Sequence, residues 1–164
     1  MQGFASRIAG LLLLAVACLS LSAATAQPRR ETPYWASIAS GQAMMRTGPG
    51  RNYPGTWLYV RPDLPIRVLE IYQSWRKIQD PDGTTGWMQV SLLSDTRSAL
   101  VIGTSNQPMH EKPDGNSAVR FFAEPGVVGR LTDCGAQFCR FEVGSRRGYI
   151  SINTLYGLDP GETF

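Results

Sequence analysis

Short runs of β-branched and aromatic residues alternate along this chain with clusters of glycine, proline, asparagine and aspartate. The 11 prolines and 17 glycines separate these runs and leave no room for a helical pattern after the N-terminal segment. Short strands divided by turn residues are typical of small β-barrels and sandwiches. We therefore predict an all-β fold. The predicted strands are Leu64–Tyr72, Trp75–Asp80, Gly86–Gln89, Ala99–Ile102, Val127–Leu131, Phe138–Val143 and Gly148–Ile152.

One of the clearest local predictions is a hairpin. The segment DPDGTTG supplies Pro-Asp-Gly turn chemistry between Trp75–Asp80 and Gly86–Gln89. Side chains of a strand alternate between its two faces, so residues three apart lie on opposite faces. If Ile78 faces the core, Trp75 faces outward.

The chain also contains an internal repeat, because residues 138–155 reproduce the order of residues 75–93 with one residue fewer in the turn. The segments AMMRTGPGRNYPG and QPMHEKPDGNSAV are glycine- and proline-rich or polar, and we interpret both as loops that precede the strands. The matched positions are Trp75 with Phe138, Ile78 with Phe141, Gly86-Trp87-Met88 with Gly148-Tyr149-Ile150, and Leu93 with Leu155. We predict two copies of one all-β unit, at residues 36–102 and 103–164. Each copy has about 60 residues, a size at which one core is marginal and mutual packing or a covalent staple helps.

The N-terminus has the composition of a secretory signal peptide. Arg7 precedes an apolar stretch from Ile8 to Leu21, and Ala24-Thr25-Ala26 follows it. We predict cleavage after Ala26 and a short polar lead over residues 27–35. An uncleaved anchor and lipoprotein processing at Cys18 are the alternatives. No later segment approaches the roughly 20 apolar residues of a spanning helix, so we expect no membrane span after processing.

After processing, only Cys134 and Cys139 remain as thiols. Four residues separate them, and they can face each other across a hairpin of Gly129–Cys134 and Cys139–Val143. Exported proteins retain disulfides, so we expect the two cysteines to be bonded. A metal site and a reactive thiol are the competing interpretations. Neither a metal site nor a reactive thiol has the further side chains that it needs, because the chain has a single histidine, His110.

Charge and composition argue against several functions. The chain has 16 basic and 13 acidic residues, and the basic residues are scattered, so nucleic acid is not an expected partner. His110 lies in a segment of loop composition, where we expect a surface position rather than a catalytic base. The carboxylate pairs Asp80 with Asp82 and Glu111 with Asp114 fall in turn-forming stretches. We expect no enzyme activity, no metal and no cofactor.

Four motifs of the first copy resemble the bacterial SH3-like (SH3b) domain, in the branch found as tandem pairs in exported proteins of Gram-negative bacteria. They are RTGPG at Arg46–Gly50, LPIRV at Leu64–Val68, WRKIQD at Trp75–Asp80 and GWMQVSLL at Gly86–Leu93. The second copy resembles the second domain of such pairs, including its cysteines. The resemblance implies two small SH3-like barrels of five or six strands each. It also implies a periplasmic, non-catalytic module that binds cell-wall (peptidoglycan) peptides or an envelope protein. A structural or protein-interaction protein without a small ligand is the alternative.

Exposed aromatic residues are the candidates for binding such a ligand. Trp75 matches the position of the ligand-stacking tryptophan in eukaryotic SH3 domains, and Phe138 is its counterpart in the second copy. Gln89 and Leu92 differ from the proline and tyrosine of those domains, so we do not expect recognition of proline-rich helices. We expect Tyr53, Trp57 and Tyr59 of the long first loop either to complete a groove with Trp75 or to pack under that loop. The alternative is that Trp75 covers a barrel rim or the contact between copies. We expect Trp87 and Tyr149 to be structural, with Trp87 facing inward.

Overall fold

The computed structural model describes residues 30–39 and 41–164. The predicted signal peptide, which includes Cys18, and residues 27–29 of the predicted polar lead therefore lie outside the described residues. Two seven-stranded antiparallel sheets form the described part. None of its helical segments has the length and apolar character needed to cross a membrane. The prediction of an all-β fold in two repeated units is confirmed, with seven strands in each sheet where five or six were expected.

The two sheets have the same strand order. The first runs β3-β2-β6-β5-β4-β1-β7 and the second β10-β9-β13-β12-β11-β8-β14. We call the parts built on them the first and second domains. The strands of the first are β1 (Tyr34–Ile38), β2 (Ala43–Arg46), β3 (Gly55–Tyr59), β4 (Pro65–Tyr72), β5 (Trp75–Gln79), β6 (Thr85–Gln89) and β7 (Leu93–Ser94). Those of the second are β8 (Ser98–Val101), β9 (Gln107–His110), β10 (Val119–Ala123), β11 (Val128–Cys134), β12 (Phe138–Val143), β13 (Arg146–Ser151) and β14 (Leu155–Tyr156).

The predicted hairpin is confirmed as β5 paired with β6. Ile78 is opposite Gly86, and Trp75 is opposite Gln89. The turn is held by Asp80, whose Oδ1 accepts the backbone N–H groups of Asp82 at 3.1 Å and Thr84 at 2.8 Å. This is the local role expected of aspartate in a turn.

The repeat is confirmed by the register of the second domain. Phe138 is opposite Ser151 and Phe141 is opposite Gly148, as Trp75 and Ile78 are opposite Gln89 and Gly86. A short 3-10 turn follows β6 at Val90–Leu92, and another follows β13 at Ile152–Thr154. Each domain therefore places the same positions on the same faces.

The sheets begin earlier than the predicted domain boundaries. β1 starts at Tyr34, inside the predicted polar lead, and β8 (Ser98–Val101) pairs with β11 and β14 of the second sheet. The predicted boundary between residues 102 and 103 had placed β8 in the first copy. A short apolar run does not reveal which sheet it joins, because that depends on pairing with strands far along the chain.

Two segments interpreted as loops each contribute strands. AMMR forms β2 and QPMH forms β9, and each pairs with the strand that follows it, β3 or β10. The interpretation as continuous loops was wrong because the glycines and prolines belong to the turns between these strands. The strands themselves have only 4 or 5 residues each, too few for a clear alternating pattern.

Each sheet encloses its own apolar core. The first core contains fully buried aliphatic and methionine side chains. In the second core the aromatic ring of Phe141 stands at the position of Ile78. The first includes Ile38, Met45, Ile66, Val68, Ile78 and Met88. The second includes Val101, Met109, Leu131, Cys139, Phe141 and Ile150.

The two domains are also packed together, and Glu31–Phe164 forms one compact unit. The ring of Trp35 meets the edge of Tyr156 with centroids 5.0 Å apart, and the Tyr156 hydroxyl donates to the backbone oxygen of Asp80 at 3.1 Å. Arg67 lies over the Trp35 ring and forms an ion pair with Asp159 at 2.9 Å. Burial, and then the nearby Asp80 carboxylate, raises the pKa of Tyr156 to about 12. Mutual packing thus supplements two small cores.

The second domain also has the expected covalent staple. Cys134 and Cys139 are bonded, with Cα atoms 4.1 Å apart across the β11–β12 hairpin. The backbone of Cys134 also exchanges two hydrogen bonds with the C-terminal Phe164. The disulfide therefore lies where the end of the chain is attached to the sheet.

We predict that denatured, non-reduced protein carrying both cysteines takes up no alkylating reagent at Cys134 or Cys139. Replacing both with serine should lower the free energy of unfolding by about 2 kcal/mol, the chain-entropy value for so short a loop. Mass spectrometry and chemical denaturation measure the two effects. Stoichiometric labelling of either cysteine before reduction would contradict the disulfide.

Candidate functional site

Trp75 lies at a cavity on the outer face of the first sheet. The cavity has a volume of about 280 Å³ and is lined by Trp75, Met44, Arg46, Arg51, Gln89 and Leu92. Trp75 lies on the opposite face of β5 from Ile78, as the sequence predicted. However, only 8% of its surface is exposed, so the expectation of an exposed ring was wrong. Side chains from neighbouring segments cover a ring that strand alternation alone would leave open.

The sheet order explains why these residues meet. Strands β2, β6 and β5 are neighbours, with Arg46 opposite Trp87 and Trp75 opposite Gln89. In β2 the buried residues Ala43 and Met45 alternate with Met44 and Arg46. Strand alternation therefore places Met44 and Arg46 on the same outer face as Trp75 and Gln89. Leu92 joins them from the 3-10 turn after β6.

The loop between β2 and β3 carries Arg51 and is shaped by Tyr53. A Cβ atom added at Gly48 would lie 2.3 Å from the Tyr53 ring, and one added at Gly50 would lie 3.2 Å from it. Only glycine allows this close approach. The Arg46 Nη1 atom donates to the backbone oxygen of Tyr53 at 2.8 Å, which links the loop to β2. Tyr53 therefore shapes the loop and is not among the residues that line the cavity.

The predicted aromatic groove is not formed. Of Tyr53, Trp57, Tyr59 and Trp75, only Trp75 lines the cavity. Tyr59 belongs to the buried core, where its hydroxyl donates to Asp80 Oδ2 at 2.7 Å. Burial, followed by the hydrogen bond to Asp80, raises the pKa of Tyr59 above its ordinary value. Trp57 lies on the edge strand β3, with 60% of its surface exposed.

The matching position of the second domain has a different neighbour. Phe138 is half-buried, and the ring of His110 meets its edge with centroids 6.0 Å apart. His110 pairs with Tyr149 as Arg46 pairs with Trp87, so His110 occupies the position of Arg46. Its Nδ1 atom lies 3.0 Å from the backbone oxygen of Ser117. The histidine thus packs where the first domain has an arginine beside a cavity.

Two further expectations need correction. His110 is only 8% exposed rather than on the surface, because its segment is a strand and the following loop binds its ring. Trp87 lies on the outer face between the buried positions Gly86 and Met88, rather than facing inward. Its ring is half-buried and meets the edge of Tyr72, with centroids 6.4 Å apart. Of Trp87 and Met88, it is Met88 that faces inward.

The cavity offers a defined set of chemical groups. Arg46 and Arg51 bring two guanidinium groups, Gln89 brings an amide, and Trp75 brings an aromatic surface with an N–H donor. Met44 and Leu92 complete it with apolar side chains. None of the lining residues is acidic. Such a site can hold an apolar or planar group while donating several hydrogen bonds to an acceptor.

Sequence reasoning identified Trp75 but not the other lining residues. Arg46 belongs to the RTGPG motif, and Gln89 and Leu92 drew attention only as departures from eukaryotic domains. No pattern pointed to Met44 or Arg51. Within residues 30–39 and 41–164, no group of three or more His, Cys, Asp or Glu side chains is arranged to hold a metal ion.

The fold and the repeat agree with comparisons to known proteins. The family model described as "Bacterial SH3 domain" matches residues 39–95 and 103–157. These two matches cover more than half of the chain, which belongs to the bacterial SH3 domain family. A search of curated proteins found no match.

Among solved structures, the chain is similar to NlpC2 from Trichomonas vaginalis at 12% identity and a TM-score of 0.34, over 78% of this chain and 49% of that one. It is also similar to an NlpC/P60 family protein from Bacillus cereus at 12% identity and a TM-score of 0.34, over 74% of this chain and 55% of that one. The chain spans about half the length of these structures.

Proposed function

We propose that this protein is an exported, non-catalytic binding module whose first domain binds cell-wall peptides in the cavity beside Trp75. The observation that carries the proposal is the aromatic ring of Trp75, held at a cavity of about 280 Å³ between polar and apolar side chains. Ligand sites commonly combine a concave, partly apolar surface with a few placed polar groups. Membership of the bacterial SH3 domain family supports a role in the cell wall.

The available side chains support binding rather than catalysis. Nucleophilic catalysis needs a nucleophile within reach of a base and a group that orients that base. His110, the only histidine of the chain, is nearly buried and contacts a backbone oxygen through Nδ1. Cys134 and Cys139 are consumed in the disulfide. We therefore propose no reaction for this protein.

Export is part of the proposal and rests on the sequence. Residues 1–26 have the pattern of a signal peptide, and a disulfide persists in an oxidising compartment such as the periplasm. Both features support a protein that meets the cell wall after secretion.

An envelope protein is the second candidate partner. Trp57, Leu58 and Val60 are exposed on and just after the edge strand β3. A sheet edge that carries exposed apolar side chains is a candidate surface for contact with another protein. This surface lies on a different strand from the residues that line the cavity, so the two candidates can be separated by mutation.

We predict that the purified protein co-sediments with isolated peptidoglycan at low salt, and that Trp75→Phe weakens this binding about fivefold. Phenylalanine keeps a ring in place but removes contact area and the indole N–H, a loss of about 1 kcal/mol. Binding should be measured well below the melting temperature of each variant, so that every protein in the assay is folded. Phe138→Leu is the matched control in the second domain and should bind as the wild type does.

Two results would contradict the proposal. If the wild-type protein stays in the supernatant, cell-wall peptides are not its ligand and an envelope protein becomes the better candidate. If Phe138→Leu loses binding while Trp75→Phe retains it, the wall contact lies in the second domain.

A further inference from the structure

We propose that the cavity beside Trp75 selects ligands by a carboxylate group, which Arg46 and Arg51 bind while Trp75 contacts the adjoining part of the ligand. This inference rests on the proposed function and specifies its ligand chemistry. It also assigns recognition of the carboxylate to the first domain. Each part follows from the groups that line the cavity and from their partners.

The charged residues that line the cavity are all basic. Arg46 and Arg51 both line it, and its other lining residues are uncharged. Elsewhere, the guanidinium groups of Arg67, Arg97 and Arg130 each pair with a carboxylate. Within the described part of the chain, Arg46 and Arg51 form no such ion pair. Two cations that line one cavity repel each other, and an anion bound in that cavity relieves the repulsion.

The hydrogen bonds of Arg46 orient its guanidinium group. One donor, on Nη1, is engaged by the Tyr53 backbone oxygen at 2.8 Å, which ties the side chain to the loop that carries Arg51. A guanidinium has five N–H donors, so others remain for a ligand. A fixed planar group of donors matches the two oxygens of a carboxylate. Wall peptides carry carboxylates as their acidic groups, which makes this anion the one that the proposed ligand supplies.

The second domain lacks this arrangement at the corresponding position. His110 stands at the position of Arg46, and its ring contacts Phe138 and the Ser117 backbone oxygen. Thr154 stands at the position of Leu92, since both end the 3-10 turn after the equivalent strand. The fold is the same, but the pair of guanidinium groups beside an aromatic ring belongs to the first domain.

The test uses the full mature protein and isolated peptidoglycan in two forms, untreated and with its carboxyl groups converted to amides. We expect the wild type to bind the amidated material at least about tenfold more weakly, since a charge-assisted hydrogen bond contributes roughly a factor of 10 or more. Arg51→Gln and Arg46→Gln should each weaken binding to untreated peptidoglycan by a similar factor. On the amidated material, all three proteins should bind alike.

Arg61→Gln is the matched control. Arg61 is exposed in the same domain and does not line the cavity, so the substitution removes the same charge elsewhere. It should bind untreated peptidoglycan within about twofold of the wild type, a difference well under 1 kcal/mol. An equal loss for Arg61→Gln and Arg51→Gln would indicate general electrostatic attraction and overturn the proposed site.

The outcomes separate this inference from the proposed function. If the wild type binds neither form of peptidoglycan, the proposed function itself is wrong. If it binds both forms equally, or if Arg46→Gln and Arg51→Gln bind as the wild type does, wall binding stands and carboxylate selection is overturned.

Discussion

Trp75→Ala should lower the free energy of unfolding by about 3 to 5 kcal/mol and abolish ligand binding at the first domain. Trp75 is only 8% exposed and lines a cavity together with Met44, Gln89 and Leu92, so removing its ring enlarges that cavity. An exposed platform would lose binding without losing stability. Chemical denaturation followed by circular dichroism measures the stability, and sedimentation with peptidoglycan measures the binding.

Trp57→Ala is the control for this prediction. The same ring is removed from a position that is 60% exposed, so the free energy of unfolding should change by no more than about 0.5 kcal/mol. Unchanged stability of Trp75→Ala would show that the ring is not packed as described.

Asp80→Ala should be the second severe substitution, with a loss of about 3 kcal/mol in the free energy of unfolding. The side chain is 6% exposed and accepts three hydrogen bonds, from the Tyr59 hydroxyl and from the backbone of Asp82 and Thr84. Alanine leaves the buried Tyr59 hydroxyl without its carboxylate acceptor. It also removes the group that closes the β5–β6 turn.

A double-mutant cycle separates these two effects. Tyr59→Phe removes the hydroxyl alone, and Asp80→Ala with Tyr59→Phe removes both groups. We expect the double variant to be more stable than the sum of the single losses implies, by about 1 kcal/mol or more, because no donor is then left unpaired. Simple additivity would mean that the Tyr59–Asp80 hydrogen bond contributes little and that the turn carries the whole effect.

The two domains keep the same sheet order while their outward-facing side chains differ. Both sheets have the same order, and both place an aromatic residue at the start of the strand that follows the longest one. In the first domain Arg46 lines a cavity with that aromatic residue, and in the second the ring of His110 contacts it. The difference lies in outward-facing side chains, which the sheet tolerates because they do not enter its core.

The features that the sequence determined by itself are those encoded over short distances. The turn after Trp75–Asp80 depends on a few adjacent residues, and Asp80 forms the expected bonds to its own backbone neighbours. The Cys134–Cys139 bond follows from a hairpin of contiguous residues. The repeat is visible because equivalent strands keep equivalent apolar positions, which makes the tandem domains readable without any structure.

Tertiary structure alone decided which segments meet. The sheet that receives Ser98–Val101 is fixed by pairing with β11 and β14, which lie well along the chain. Strand alternation correctly predicted the face on which Trp75 lies, but its burial and its neighbours Met44 and Leu92 at the cavity come from segments elsewhere in the chain. Arg46 and Arg51 become one site with Trp75 only when β2 lies beside β6. Contacts between residues far apart in sequence depend on the whole packing arrangement, and no local pattern records them.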